Sequence, residues 1–165
     1  MDAQRLNHYL TTVAAQLQSE GFRPRQGPSR EGSPTRYFHR RRFRPTRLSI
    51  VDTVCAVRAF DQISPEEFVD FSGSVFAVAL ADKSWLPRGL GGMVVAHAIA
   101  VTETAGADTI GRAGSYAPKH WASAEFPGLV ELEEPAVHCY EGTPVWGGAY
   151  YRSYRDAVRR LFTPY

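Results

Sequence analysis

The sequence predicts a single α/β or α+β domain with a mixed central sheet flanked by helices. Three observations carry that expectation. Residues 48–60, LSIVDTVCAVRAF, are apolar on both alternating sides, the mark of a strand covered on both faces. A capped helix and a second apolar strand follow within about fifty residues, which is the spacing of a crossover between parallel strands. The chain has 165 residues, 44% of them hydrophobic and 22% charged, enough for one core without metals or disulfides and too apolar for disorder. The expected order is an αββαβ core followed by a hairpin and a helix, with residues 1–165 as one unit and no internal repeat.

The elements follow from the chain in order. Residues 3–20 place Leu6, Leu10, Val13, Ala14 and Leu17 at helical spacing, and Gly21 stands where a helix commonly stops. Residues 23–35, RPRQGPSREGSPT, are rich in turn formers and read as a loop or arm. Residues 36–44 carry the strand propensity of Tyr37, Phe38 and Phe43, and Pro45 interrupts them. In 48–60, Leu48, Ile50, Val54, Ala56 and Phe60 share one side with Asp52; Val51, Thr53, Cys55, Val57 and Ala59 share the other. Ser64, Pro65 and Glu67 open a helix with a capping box, and Phe68, Phe71, Val75, Phe76, Ala79 and Leu80 form its apolar stripe. MVVAHAIAV, 93–101, is the second buried strand. A short helix near 107–113 and a loop, SYAPKHWASAEFPG, come next. Residues 129–132 and 137–140 flank a turn at Glu133–Ala136 and predict a hairpin. The last helix, about 149–162, carries Tyr150, Tyr151, Tyr154, Val158, Leu161 and Phe162 on its apolar side and four arginines elsewhere.

The net charge is only +2, yet residues 23–47 hold nine arginines against one acid, Glu31. That segment is +8 and the remainder −6. Its densest part is YFHRRRFRPTR, 37–47. Alternation places arginine on both sides of a strand here, so the segment belongs at a sheet edge or in solvent, where charge deters unwanted pairing. The same pattern suits a partner. Guanidinium groups of Arg36, Arg40, Arg41, Arg42, Arg44 and Arg47 can contact phosphate while Tyr37 and Phe43 stack on unpaired bases. An acidic protein surface, or the acidic remainder of a second copy in a homo-oligomer, is the other partner this charge would take.

Candidate chemical groups lie elsewhere. Asp52 interrupts a buried strand, and a lone buried carboxylate costs several kcal/mol, so it requires an arginine, histidine or backbone donor, or else serves metal or acid–base chemistry. His97 and His138 sit in apolar strands, as core histidines or as a partner of Asp52. Lys119 and His120 beside Trp121, with Glu125 beyond, form a polar–aromatic cluster. It is either a ligand-binding loop or one pinned by Trp121 dipping into the core. Glu141, Thr143 and Trp146 make a third rim. The two cysteines, Cys55 and Cys139, lack the spacing of a zinc cluster and read as reduced, buried thiols of a cytoplasmic protein. No secretion signal or membrane-spanning run is expected, and no metal or cofactor motif is present: GLGG at 89–92 precedes a strand, whereas phosphate loops follow one.

The element order over residues 3–103, helix, meander, helix, strand, resembles the core of the PD-(D/E)xK nuclease-like family. The resemblance implies an acid on one core strand, for which Asp52 stands, and a Glu-x-Lys or Asp-x-Lys on the next, which together hold a metal and activate water. The chain contains neither tripeptide. The sequence therefore favours a non-enzymatic binding or assembly domain that contacts nucleic acid or an acidic partner through its arginine-rich segment. The alternative is a hydrolase or divergent nuclease with a site around Asp52.

Overall fold

In a computed structural model, which describes residues 2–28, 34–45, 48–143 and 148–164, the chain forms one α+β domain. Four helices pack on a mixed sheet of eight strands. The elements are α1 (Ala3–Ser19), β1 (Arg23–Arg25), β2 (Arg36–Arg44), β3 (Ser49–Ala59), α2 (Pro65–Ala81), β4 (Gly92–Thr102), α3 (Ala107–Ser115), β5 (Lys119–His120), β6 (Ser123–Glu125), β7 (Gly128–Glu131), β8 (Ala136–Cys139) and α4 (Gly148–Phe162). Among the described residues no helix is long and apolar enough to cross a membrane.

The sheet runs β1-β2-β3-β4-β6-β5, with β7 and β8 continuing from the other half of β4. β3 and β4 are parallel neighbours at the centre, joined through α2 as their spacing predicts. Two short strands depart from the sequence expectation. Arg23–Arg25 lie in the segment read as a loop, but they pair with Tyr37–His39 and close the edge of β2. Lys119–His120 and Ser123–Glu125, also read as loop, pair with each other, and Ser123–Glu125 pairs with β4. Such short strands hold no periodicity of their own; the neighbouring backbone supplies their hydrogen bonds.

The capping box at α2 is present in full: Glu67 N–H donates to Ser64 Oγ at 3.1 Å and Ser64 N–H donates to the Glu67 carboxylate at 3.0 Å. Gly21 ends α1 with φ at +84°, a conformation that a side chain would strain.

Each sheet face has its own core. On one, Phe68, Phe71, Val75, Phe76 and Ala79 of α2 pack against Val54 and Ala56 of β3 and Val94, Ala96, Ala98 and Ala100 of β4. Alanine on β4 leaves room for the α2 phenylalanine rings, so helix and strand fit by size. On the other, Tyr9, Val13 and Leu17 of α1 and Val158, Leu161 and Phe162 of α4 cover Cys55, Val57, Ile99 and Val101. Tyr9 ties the two helices by donating its hydroxyl to Phe162 O at 2.7 Å. Both cysteines are free and buried, and burial raises the Cys55 thiol to about 12 and that of Cys139 to about 11.

β6 and β7 follow one edge of β4 in succession, with a break at Phe126–Pro127. His97 sits opposite that break, its Nδ1 3.0 Å from Phe126 O. The imidazole thus serves a carbonyl that the interrupted ladder leaves over.

Candidate functional site

The second face is only half covered. α1 and α4 sit over the Cys55–Ile99 end, and the end carrying Val51, Thr53, Met93 and Val95 opens into a groove of about 1220 Å³. Register shows how its sides are placed. Arg40 pairs with Thr53, Thr53 with Val95, Val95 with Ala124, and Ala124 with Lys119. Laterally paired residues point to one face, so Arg40 and Lys119 stand at opposite ends of a single row, roughly 19 Å apart across four strand spacings. Tyr150, Tyr151, Tyr154 and Arg160 of α4 form a wall, and Phe22, Arg40 and Arg44 line the β2 side.

Charge in the groove is one-sided. Arg40, Arg44, Lys119 and Arg160 line it, and among the described residues no Asp or Glu does. Glu20, behind the margin, offsets part of this: its carboxylate lies 3.5 Å from Arg40 and also pairs with Arg160. Its carbonyl accepts from Arg40 at 3.0 Å and from Arg42 at 3.3 Å. α1 has no basic residue in its own last turn, so arginines of β2 supply the cations that a helix C-terminus favours. Arg40 also stacks over Phe22 at 4.2 Å. Arg44 and Lys119 form no ion pair among the described residues.

The arginine run is therefore divided by the pleat. Arg40, Arg42 and Arg44 face the groove side; Tyr37, Arg41 and Phe43 face the α2 side. Tyr37 is buried in the α2-side core, and Phe43 is 59% exposed on the face away from the groove. The aromatics expected to accompany the arginines are thus not the ones beside them in the chain. Phe22, Tyr150, Tyr151 and Tyr154 take that place. Trp121 is 80% exposed rather than dipping into the core. Its indole lies so close to Gly89 that a Cβ there would come within 2.7 Å of Nε1. Arg36 reaches Leu10 O at 3.4 Å. Arg47 and Trp146 lie outside the described residues.

Asp52 occupies the opposite face, 2% exposed. One carboxylate oxygen lies 2.6 Å from Arg41 Nε and 3.3 Å from His39 Nε2, and the other accepts from Ser84 N–H at 2.7 Å. Burial opposes ionisation, but the Ser84 N–H and the Arg41 guanidinium outweigh it and hold the carboxyl below its ordinary value. Arg41 is thereby engaged in the fold.

His97 is 4% exposed, and burial lowers it to about 4 against the help of the Phe126 carbonyl, so the ring is neutral. Its Nδ1–H donates to Phe126 O, which leaves Nε2 as an acceptor. His120 lies at the groove margin and belongs to a buried network. Glu125, 4% exposed, lies 2.8 Å from His120 Nε2 through one oxygen; the other accepts from the hydroxyls of Ser72 at 2.7 Å and Tyr116 at 3.0 Å. The His120 ring stacks on Phe76 with centroids 4.0 Å apart. Burial, then the Glu125 charge, raises the Tyr116 phenol. His138 contacts Glu131 at 2.6 Å, and Glu141 lies 2.5 Å from Arg159. Among the described residues no three His, Cys, Asp or Glu side chains form a metal-holding group.

Arg40, Arg44, His97 and Lys119 thus meet along one groove, whereas Asp52, Arg41, Tyr37 and Phe43 belong to the other face, as does the His120 ring, which touches the groove only at its margin. Sequence reasoning missed Thr53, Phe22 and the tyrosine wall as parts of a site. Three tyrosines on one helix face, where aliphatic residues would fill a core as well, are the signal for the wall. Compared with known protein families, curated proteins and solved structures, the chain matches none.

Proposed function

We propose that the groove binds single-stranded nucleic acid. The observation that carries this reading is the lining itself: among the described residues, four cationic side chains, no carboxylate, and tyrosines along one wall. Cations neutralise phosphates, and rings accept unpaired bases by stacking, a combination that tolerates sequence. An acidic peptide would use the cations but not the ring faces, and so fits the lining less well. An enzymatic centre at Asp52 gains no support from its placement, because that carboxylate sits across the sheet from the groove and is held by Arg41 and Ser84.

The test is fluorescence anisotropy with labelled single-stranded RNA and DNA oligonucleotides at rising salt. Three or four neutralised phosphates give a log–log slope of about −2 to −3. Arg44→Glu with Lys119→Glu should weaken binding by at least about tenfold without changing the melting temperature, since both side chains are exposed and form no ion pair among the described residues. Absence of binding at low salt, or binding that ignores the double substitution, overturns the reading. Retention of an acidic peptide at the same groove in place of oligonucleotide would redirect it to a protein partner.

A further inference from the structure

The floor of the groove holds two polar side-chain atoms, Thr53 Oγ1 and His97 Nε2, that make no hydrogen bond within the described residues. Thr53 is 7% exposed and His97 is 4% exposed, and both line the groove. They are diagonal neighbours on one face, since Thr53 pairs with Val95 and His97 with Cys55. Diagonal side chains lie about 7 Å apart, near enough to serve one planar ligand edge. Within the described residues neither Thr53 Oγ1 nor His97 Nε2 makes a hydrogen bond to the protein. Sealed orphans are costly, and the one sealed side-chain nitrogen or oxygen without a partner among the described residues is Arg58 Nε. The two floor atoms are therefore open to the groove and not shut in.

Their chemistry is defined by their surroundings. The Phe126 carbonyl takes the Nδ1 proton of His97, so Nε2 offers a lone pair. The Thr53 hydroxyl either donates or accepts. Tyr154 and Phe126 meet the imidazole edge-on, with centroids 6.1 and 6.3 Å away, and fix its plane. Above this floor stand the tyrosines, and at its margins the cations. A ligand that satisfies all three layers has an N–H donor on a flat ring and a phosphate attached to that ring through a sugar.

Resting on the strand-binding reading above, we propose that Thr53 and His97 form a base-recognition subsite. One nucleobase of the bound strand inserts between the tyrosine wall and the sheet. Its ring N–H or exocyclic amine donates to His97 Nε2, and an adjacent polar atom meets the Thr53 hydroxyl. No covalent step is involved. The same chemistry is offered by a free nucleotide, so the experiment separates the two sources.

Anisotropy competition compares oligouridylate with oligo-3-methyluridylate, whose base lacks its only N–H donor, and with uridine monophosphate alone. Wild-type protein should prefer the unmodified strand by about threefold to tenfold, the weight of one hydrogen bond. Thr53→Val, which keeps the shape and deletes the hydroxyl, should weaken the unmodified strand by a few-fold. His97→Phe should abolish the preference for the unmodified strand while leaving the salt slope unchanged. Should His97→Phe not fold, the wild-type comparison of the two strands and the Thr53→Val result decide alone. Equal affinity of wild type for both strands overturns the subsite and leaves strand binding standing. Binding of the monophosphate with the same dependence on Thr53 and His97, and no gain from the strand, keeps the subsite and overturns strand binding. Binding of none of the three overturns both.

Discussion

The two faces of the sheet use the same central strands and are finished in opposite ways. On the α2 side, alanines of β4 receive phenylalanines of α2, and the one buried acid of β3, Asp52, is closed off by Arg41 and the Ser84 backbone. On the α1–α4 side, the apolar residues cover only one end, and the other keeps two open polar atoms under tyrosine and arginine. The contrast separates two uses of a polar residue in a strand. Asp52 is a polar group the fold has satisfied. Thr53 Oγ1 and His97 Nε2 are polar atoms it has left to the groove.

Substitutions on the two sides should separate them sharply. The largest expected loss is at the closed face, where Phe68→Ala removes a ring that is fully buried. About 3–5 kcal/mol should go, read from urea unfolding, with no specific effect on the groove. A loss below about 1 kcal/mol there would mean that this face is not close-packed.

Acid should act through the open face. His97 is neutral and lowered to about 4 when folded, against 6.5 for the free side chain. Between those values the unfolded chain takes up the proton first, so stability is complete above pH 6.5 and declines as the pH falls toward 4. The cost is on the order of 3 kcal/mol in all, and His97→Phe should remove that part of the pH dependence. A variant whose acid profile matches wild type would place the titration elsewhere.

Asp52 works in the same pH direction but lower. Its folded value is depressed, so what it contributes is present above the unfolded carboxylate range and is lost as pH falls through the folded value. Asp52→Asn should cost about 1–3 kcal/mol, less than a fully buried ion pair because the Arg41 side chain is 48% exposed. Unchanged stability would show Asp52 to be dispensable for the closed face and reopen it as a functional group. Smallest of all, Met93→Ala on the partly exposed floor should cost about 1 kcal/mol or less in denaturant. A larger effect would show the groove to be part of the core.

Much of this fold is visible in the chain because its elements carry local signals. The capping box at Ser64–Glu67, the stop at Gly21 and the two-sided apolar strand of 48–60 each act over a few residues. Short pieces such as Arg23–Arg25 and Lys119–His120 escape notice, since they are strands only by virtue of the backbone beside them. The site was legible as an inventory and not as an assembly. Arg40, Arg44, His97 and Lys119 are conspicuous by type, yet Tyr37, Phe43 and His120 are as conspicuous and face away.

By itself the sequence determined the order of the longer elements, the central strand pair and the need for a partner at Asp52, because periodicity, capping and desolvation act locally or on single groups. Tertiary structure alone decided which arginines the fold consumes and which the groove keeps. It also decided that the rings lining that groove come from α4, from Phe22 after α1 and from Tyr140 after β8. Strand register assigns each side chain to a face, and only helix packing determines which part of a face stays open.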